Sequence, residues 1–455
     1  MGKYLCKRCG KEFNQKSHFD THCKKKIPCK DINKVISNLV KSEVNEQVKL
    51  LVPQFGELSK TLTSKLDKKT KKSKGIFFTP YNIIKQSCDI VFEYCAQNNI
   101  QITDILEPSC GSCEYIKYLD NITENVNIDG IEYDDTIYEN IKSLKFRNTV
   151  NLMKMDYLKH EVERMYDLII GNPPYFVVKQ SDVKKEYKQF YDGRPNMFVL
   201  FIIHSLSKLK EGGLISFILP KSFCNCLYYN KIRSHINENF TIVDICDFSK
   251  ESYLETAQDT IMLFIHNKPG ENNDYIYNNN GNILFNTPEN IKHIKRLYDN
   301  STNLKDLNLS VKVGNTVWNQ CKDILTDDSK FTRLIYSGDI KNNNLELTEY
   351  KNDEKKNYIM AKGEMEPVLV VNRGYGVGTY NLNYSIIDLD HEYLIENHLI
   401  IIKSDDNLSK EELISKFNMI TKSFDDKRTE EFIQLYCCNS ALNTTELQTV
   451  LPIYL

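Results

Sequence analysis

A chain of 455 residues is too long to fold around a single hydrophobic core, so two or three domains are expected. With 41% hydrophobic and 26% charged residues the composition is that of a globular protein, and no apolar run approaches the ~20 residues that span a bilayer. The net charge of −2 hides an asymmetry: residues 1–75 hold 19 Lys+Arg against 7 Asp+Glu, a net +12, which leaves −14 for the remainder. A basic arm on an acidic body has the form of a polyanion-binding extension. The fourteen cysteines follow no hydrophobic leader, so reduced thiols in a cytosolic or nucleoid/nuclear-type compartment are expected rather than a secreted disulfide scaffold.

At the N-terminus, Cys6-x2-Cys9, Phe13, Phe19 and His22 reproduce the knuckle, the two small-core hydrophobes and the first histidine of a C2H2-type zinc finger. The fourth ligand departs from that pattern. Positions three to five past His22 are Lys26, Ile27 and Pro28, and Cys29 at a spacing of six is the best candidate, with His18 as a fallback. Residues 1–30 are therefore expected to hold a structural Zn2+ on Cys6, Cys9, His22 and Cys29. Residues 31–66 place Ile32, Val35, Leu39, Val44, Val48 and Leu51 at helical intervals, broken near Pro53; with the lysine run 68–74 they form a helical and basic linker, 31–74.

From Gly75-Ile76-Phe77-Phe78-Thr79-Pro80 onward the pattern changes to alternating strands and helices. A first strand at 102–106 runs into Glu107-Pro108-Ser109-Cys110-Gly111-Ser112-Cys113, a small-residue turn that lets backbone approach a ligand at the start of a helix. A second strand, 127–132, ends in Glu132, at the offset where an acid takes ribose hydroxyls in nucleotide-binding α/β folds; Asp134 and Asp135 compete for that role. Asp156 follows a third apolar segment, a position that also suits a helix cap.

The central stretch is Asp167-Leu168-Ile169-Ile170-Gly171-Asn172-Pro173-Pro174-Tyr175: a short buried strand that stops in a proline-locked turn, where open α/β sheets bind ligands. Asn172 offers a carbonyl acceptor and the two prolines donate no backbone N–H, so the turn presents oxygens in a rigid arrangement with one aromatic, Tyr175. Such a claw suits an exocyclic amine, whose hydrogens two acceptors hold while nitrogen becomes tetrahedral; Tyr175 offers a planar group a stacking face.

Asn-Pro-Pro-Tyr after a hydrophobic strand resembles the signature of the S-adenosylmethionine-dependent amino-methyltransferases, above all the adenine-N6 DNA methyltransferases. The resemblance spans roughly 75–265 and implies a Rossmann-like, doubly wound methyltransferase domain over 75–268. It implies cofactor contacts from Thr79, Glu107, Pro108, Gly111, Glu132, Asp156 and Asn172, and an extruded adenine held by Asn172, Pro173, Pro174 and Tyr175. Tyr253 stands where the family often has a second aromatic, with Phe248 as its rival. Cys113 replaces the glycine usual in that turn, where φ > 0 would be strained.

Between the claw and the next elements, 177–194 is polar and charged, a mobile loop by pattern; 196–209 reads as an amphipathic helix, Gly212-Gly213 as a turn, and 214–219, 241–248 and 260–265 as further strands. Residues 300–455 resemble, loosely, the α+β target-recognition domains of DNA methyltransferases, with Gln320, Asn372 and Arg373 carrying side chains that read base edges. The expected protein is a site-specific adenine-N6 DNA methyltransferase acting on double-stranded DNA, a monomer on its substrate. Its rivals are N-methyltransferases of RNA guanine or protein glutamine and a non-catalytic nucleic-acid-binding protein that kept the cofactor fold.

Overall fold

The computed structural model describes residues 4–5, 12–13, 54–159, 164–249, 251, 253–254, 258–350, 354–374, 380–436 and 441–455. At its centre lies a seven-stranded sheet of β1 (Asp104–Glu107), β2 (Asn127–Glu132), β3 (Thr149–Lys154), β4 (Tyr166–Gly171), β5 (Leu209–Pro220), β6 (Thr241–Asp247) and β7 (Thr260–His266). The spatial order is 3-2-1-4-5-7-6. Strands β1 to β5 pair in parallel, while β7 runs antiparallel to both β5 and β6. The chain reverses its direction of travel across the sheet between β1 and β4, and the crevice at the carboxyl ends of those two strands is where such a sheet takes a ligand.

Parallel strands must be covered on both faces, and β4 accordingly carries almost uninterrupted buried side chains; the antiparallel β7, covered on both faces as well, is buried throughout. One face is covered by α3 (Tyr81–Asn98), α4 (Glu114–Ile122) and α5 (Asp135–Ile141), the other by α6 (Met197–Leu206) and α7 (Asn230–Asn239). Helix α5 starts at Asp134, whose carboxylate accepts from Thr136 N and Ile137 N.

The structure corrects several local expectations. The lysine run is a helix: α1 (Glu57–Lys65) and α2 (Lys68–Lys74) dock on the sheet domain, burying Leu62 and Leu66 in its core. Asp67 caps α2, and the Lys71 ammonium turns inward to donate to Thr63 O at 2.6 Å. Gly212 and Gly213 lie inside β5, with Gly212 at φ +72° beside a register shift against β4, so they form a bulge and not an interelement turn. Helix α6 is buried from Phe198 to Ser205 on all sides, not amphipathic, because it is sandwiched between the sheet and the 177–194 segment. That segment is fastened, not loose: Val183, Tyr187 and Tyr191 are buried against α6, and Tyr187 Oη lies 2.7 Å from His204 Nδ1.

Beyond a hairpin of Ile276–Asn279 and Asn282–Phe285 and helix α8 (Pro288–Tyr298), two four-stranded sheets follow. One is antiparallel, ordered Leu309–Val313, Leu399–Ser404, Val368–Asn372, Tyr384–Ile387. The other is mixed, and helices Lys410–Phe424, Lys427–Tyr436 and Thr444–Thr449 complete the chain. Tyr436 Oη donates to Asn225 O at 3.2 Å, joining this part to the loop after β5. The same loop is clamped by Arg233 of α7, a fully buried guanidinium that donates to the carbonyls of Phe223, Cys226 and Ile283.

At the N-terminus, Tyr4–Leu5 and Glu12–Phe13 pair as an antiparallel hairpin. Cys6, Cys9, His22 and Cys29 lie outside the described residues. No helix among the described residues is long and apolar enough to cross a membrane.

Candidate active site

Two turns meet at the switch point. The first leaves β1 at Glu107 and enters α4 through Cys113, with Gly111 at φ +50° and Cys113 at φ +63°. The sequence places a Cβ where glycine would be unstrained, and the backbone keeps the left-handed conformation regardless, at a cost of about 1–2 kcal/mol. A close turn bond, Cys113 N to Cys110 O at 2.7 Å, and complete burial of the Cys113 side chain hold it there.

Glu132, at the end of β2, ties this turn to the sheet: its carboxylate accepts from Gly111 N at 3.0 Å and from Asp134 N at 2.6 Å. Burial pushes its pKa up to about 7 in spite of those donors. Glu107 is more enclosed still. Burial raises its carboxyl well above the usual range, and Oε2 has no hydrogen-bond partner among the described residues. An unpartnered carboxyl oxygen in a closed site is an opening for a donor that the protein itself does not supply.

The second turn, Asn172 to Tyr175, leaves β4 alongside. Ser109 Oγ donates to Asn172 O at 3.1 Å, so the two turns are joined directly. The Asn172 amide is fixed from one side, Nδ2 donating to Thr79 Oγ1 at 3.1 Å and facing Phe77 O at 3.4 Å. Its Oδ1 faces the Tyr175 hydroxyl at 2.6 Å, and that hydroxyl also lies 2.8 Å from Ile218 O. One hydroxyl hydrogen has two acceptors to choose from.

A cavity of about 610 Å³ opens beside these turns. Pro108, Ser109, Gly111, Glu132, Asp156, Asn172 and Pro174 line it. Of the residues singled out from sequence, Glu107 and Thr79 sit just behind that wall, Glu107 against Gly171 and Thr79 bonded to the Asn172 amide. Asp156 combines both of its readings: it lines the cavity and its Oδ1 caps the following turn by accepting from Leu158 N at 3.1 Å. Pro173 is buried. The Tyr175 ring packs edge-on against Phe198 and leaves the cavity wall to Phe176. Tyr253 is buried behind Phe77 and Phe78, lining a separate small cleft with Leu254, its hydroxyl 3.2 Å from Thr260 Oγ1.

Several lining residues escaped the sequence reading. Met197, Leu200 and Phe201 face the cavity from α6, at the i, i+3, i+4 spacing that was legible as one helix face. Lys74 reaches it from α2 and pairs with Asp134 at 2.7 Å; nothing in a lysine run marks which member turns inward. Gly75 permits this approach: it adopts φ +64°, and a Cβ there would stand 2.6 Å from Tyr175 N.

In the C-terminal part, Gln320 and Arg373 are exposed, Arg373 Nη1 donating to Asn397 O at 3.1 Å. Asn372 is spent on its own loop, accepting from Asn383 N at 2.7 Å and donating to Asn381 O at 3.0 Å, so it is not free to read a base edge. No cluster of three or more metal-ligating side chains occurs among the described residues.

Sheet order and paired turns define a Rossmann-like α/β protein whose crevice is lined by acids on one side and an acceptor-rich turn on the other. Residues 17–253, more than half of the chain, match the family described as Eco57I restriction-modification methylase, and the chain belongs to that family. It is similar to the Type II methyltransferase M.CvrRI of Paramecium bursaria Chlorella virus XZ-6E, 26% identical over 408 residues, which covers 88% of this chain and 99% of that protein. The modification methylase CviBIII of Paramecium bursaria Chlorella virus NC1A is 25% identical over 407 residues, with the same coverage of 88% and 99%. Among solved structures, the cryo-EM structure of the DrdV–DNA complex superposes with a TM-score of 0.47 at 12% identity, over 87% of this chain and 57% of that one.

Proposed function

We propose that this methylase transfers a methyl group from S-adenosylmethionine to the N6 amine of an adenine in double-stranded DNA. The observation that carries the reading is the cavity at the β1/β4 crevice, bounded by Glu132 and Asp156 on one side and by Asn172 and Pro174 on the other. Membership of a restriction-modification methylase family and similarity to Type II methyltransferases over 88% of the chain support DNA as the substrate.

The residues present fit the cofactor. The orphan Glu107 Oε2 suits an ammonium group, Glu132 suits a pair of ribose hydroxyls, and Asp156 suits an adenine amine. When bound, S-adenosylmethionine supplies an electrophilic methyl on a sulfonium. The chain's part is acceptance and placement. Thr79 and Phe77 O hold the Asn172 amide so that Oδ1 faces away from them. The Tyr175 hydroxyl guards Oδ1 and has a second acceptor in Ile218 O, to which it turns when an amine N–H arrives. Pro173 and Pro174 add carbonyl acceptors and no backbone donors, and the Asn172 Nδ2 donor is already taken up by Thr79 and Phe77 O. Asn172 is no strong base, and positioning carries most of the rate. The Tyr175 and Tyr253 rings are the candidates to flank an extruded adenine from outside the cofactor cavity.

The remaining parts complete the reading: a zinc finger over 1–30 on Cys6, Cys9, His22 and Cys29, the helical and basic segment 31–74, the methyltransferase domain 75–268, and a DNA-recognition domain over 300–455. Incubation with methyl-labelled cofactor and duplex DNA tests the central claim. Label recovered as N6-methyladenine at particular sites is expected. Label in cytosine, in RNA guanine or in a protein glutamine, or duplex binding with no transfer, overturns it.

A further inference from the structure

Segment 54–75 contains seven lysines and two acids, Glu57 and Asp67, a net +5 on a pair of short helices. Two of the lysines have structural tasks: Lys71 is buried on Thr63 O, and Lys74 pairs with Asp134. Lys60 pairs with Glu57 one turn away. Lys65, Lys68, Lys69 and Lys72 are exposed and have no ion-pair partner among the described residues; Lys65 meets only the Asn140 amide, at 3.0 Å. Lys68 and Lys72 stand one turn apart on one face, an arrangement that repels itself in the free helix and is relieved by a polyanion.

This face is held rigidly beside the site. Asp67 caps α2 at its start, accepting from Thr70 N at 2.9 Å, and Gly75 ends it against the backbone of the Asn172–Tyr175 turn. Ser59 of α1 lies 2.8 Å from Ser112 of the turn after β1, in a buried contact. Glu132 and Asp156 line the cavity, with Lys159 paired to Asp156 at 3.6 Å, Lys184 elsewhere on the wall and Lys74 at the α2 edge, whereas Lys65, Lys68, Lys69 and Lys72 stand outside the lining. A cationic methyl donor is drawn to the acids. Its single carboxylate does not account for four exposed lysines outside the cavity lining, and such a cluster suits a phosphate chain.

We propose that Lys65, Lys68, Lys69 and Lys72 form a docking surface for the phosphate backbone of the duplex that carries the target adenine. The inference rests on the proposed function and adds a second, sequence-independent contact next to the cofactor cavity, built from a segment that composition alone reads as a tether. Such contacts fix register and orientation and carry no sequence information.

The test uses the full-length chain with Lys65→Gln, Lys68→Gln, Lys69→Gln and Lys72→Gln combined, and fluorescence anisotropy on duplex oligonucleotides over a series of salt concentrations. Each engaged lysine contributes about 0.9 to the slope of log affinity against log salt, so the slope should become shallower by about 2–3. Affinity should fall roughly ten- to a hundredfold near 0.1 M salt, equally for duplexes with and without methylatable adenines. S-adenosylmethionine affinity and the melting temperature should stay at the parent's values. If the fourfold variant melts early, the Lys68→Gln/Lys72→Gln pair reads the same slope change at about half size. An unchanged slope, or a loss confined to RNA with duplex binding intact, overturns the surface while leaving the enzyme reading in place. A parent chain that methylates no duplex and binds none overturns both.

Discussion

The two turns that meet at the crevice solve opposite problems with opposite chemistry. The turn after β1 is made of small residues and left-handed backbone, Gly111 and Cys113, and its N–H groups turn onto neighbouring acceptors: Cys110 N onto Ile131 O, Gly111 N onto Glu132 and Cys113 N onto Cys110 O. The turn after β4 is made of prolines, and it presents carbonyls and an amide oxygen but almost no donors. Both sit at the carboxyl ends of neighbouring parallel strands. The strand scaffold fixes only where a ligand goes, while residue type in each turn decides which groups are left to meet it.

The largest expected effect comes from removing the acceptor. Asn172→Ala should lower kcat at least about a hundredfold, since a preorganised polar group at the reacting atom is worth several kcal/mol, while S-adenosylmethionine affinity by calorimetry stays within a few fold. Loss of cofactor affinity instead would assign Asn172 to the donor-binding turn and erase the contrast.

Next is the point where a third segment squeezes against the acceptor turn. Gly75→Ala should destabilise the chain by roughly 2 kcal/mol or more in thermal or urea unfolding, because a Cβ there meets Tyr175 N at 2.6 Å and φ is +64°. An unaltered melting temperature would mean that α2 is not docked as described.

A pH dependence sharpens the donor side. The folded carboxyl of Glu132 titrates at about 7, above its ordinary 4.5, so the folded apo chain holds this proton more tightly than the unfolded chain does. Its contribution to stability is therefore greatest below the ordinary value and is lost as pH rises through about 7. Ribose hydroxyls favour the ionised form, so cofactor affinity should rise with pH up to about 7 and release a proton on binding. Glu132→Gln should flatten that profile; a profile unchanged in the variant would show that another group is titrating.

The smallest effect is expected at Cys113→Gly. Relief of about 1 kcal/mol of left-handed strain is opposed by the greater chain entropy of glycine in the unfolded state, and the melting temperature should move by no more than about 2 °C. A large drop would mean that the buried thiol, not the backbone shape, holds the turn.

Much of the site could be read in advance because its parts are short and local. Glu132 and Asp156 follow strands at fixed offsets, Asn172-Pro173-Pro174 is a contiguous signal, and Glu132, Asp156, Asn172 and Pro174 line one cavity. Tyr175 was legible as an aromatic but not in its orientation: whether its ring joins the cavity or packs on Phe198 depends on α6, which lies more than twenty residues away. Asn372 shows the same limit, since a side chain suited to base edges is consumed by hydrogen bonds within its own loop.

The sequence alone determined the alternation of strands and helices, the two turns and their donor or acceptor character, because backbone preference and side-chain chemistry are properties of neighbouring residues. Only the tertiary structure decided that a lysine run becomes a docked helix with Lys71 buried and Lys74 at the cavity, that Gly212 and Gly213 bulge a strand, and that the 177–194 segment is anchored by three apolar side chains. Each of those outcomes depends on which surface a segment finds to bury against, and that surface is made by residues far along the chain.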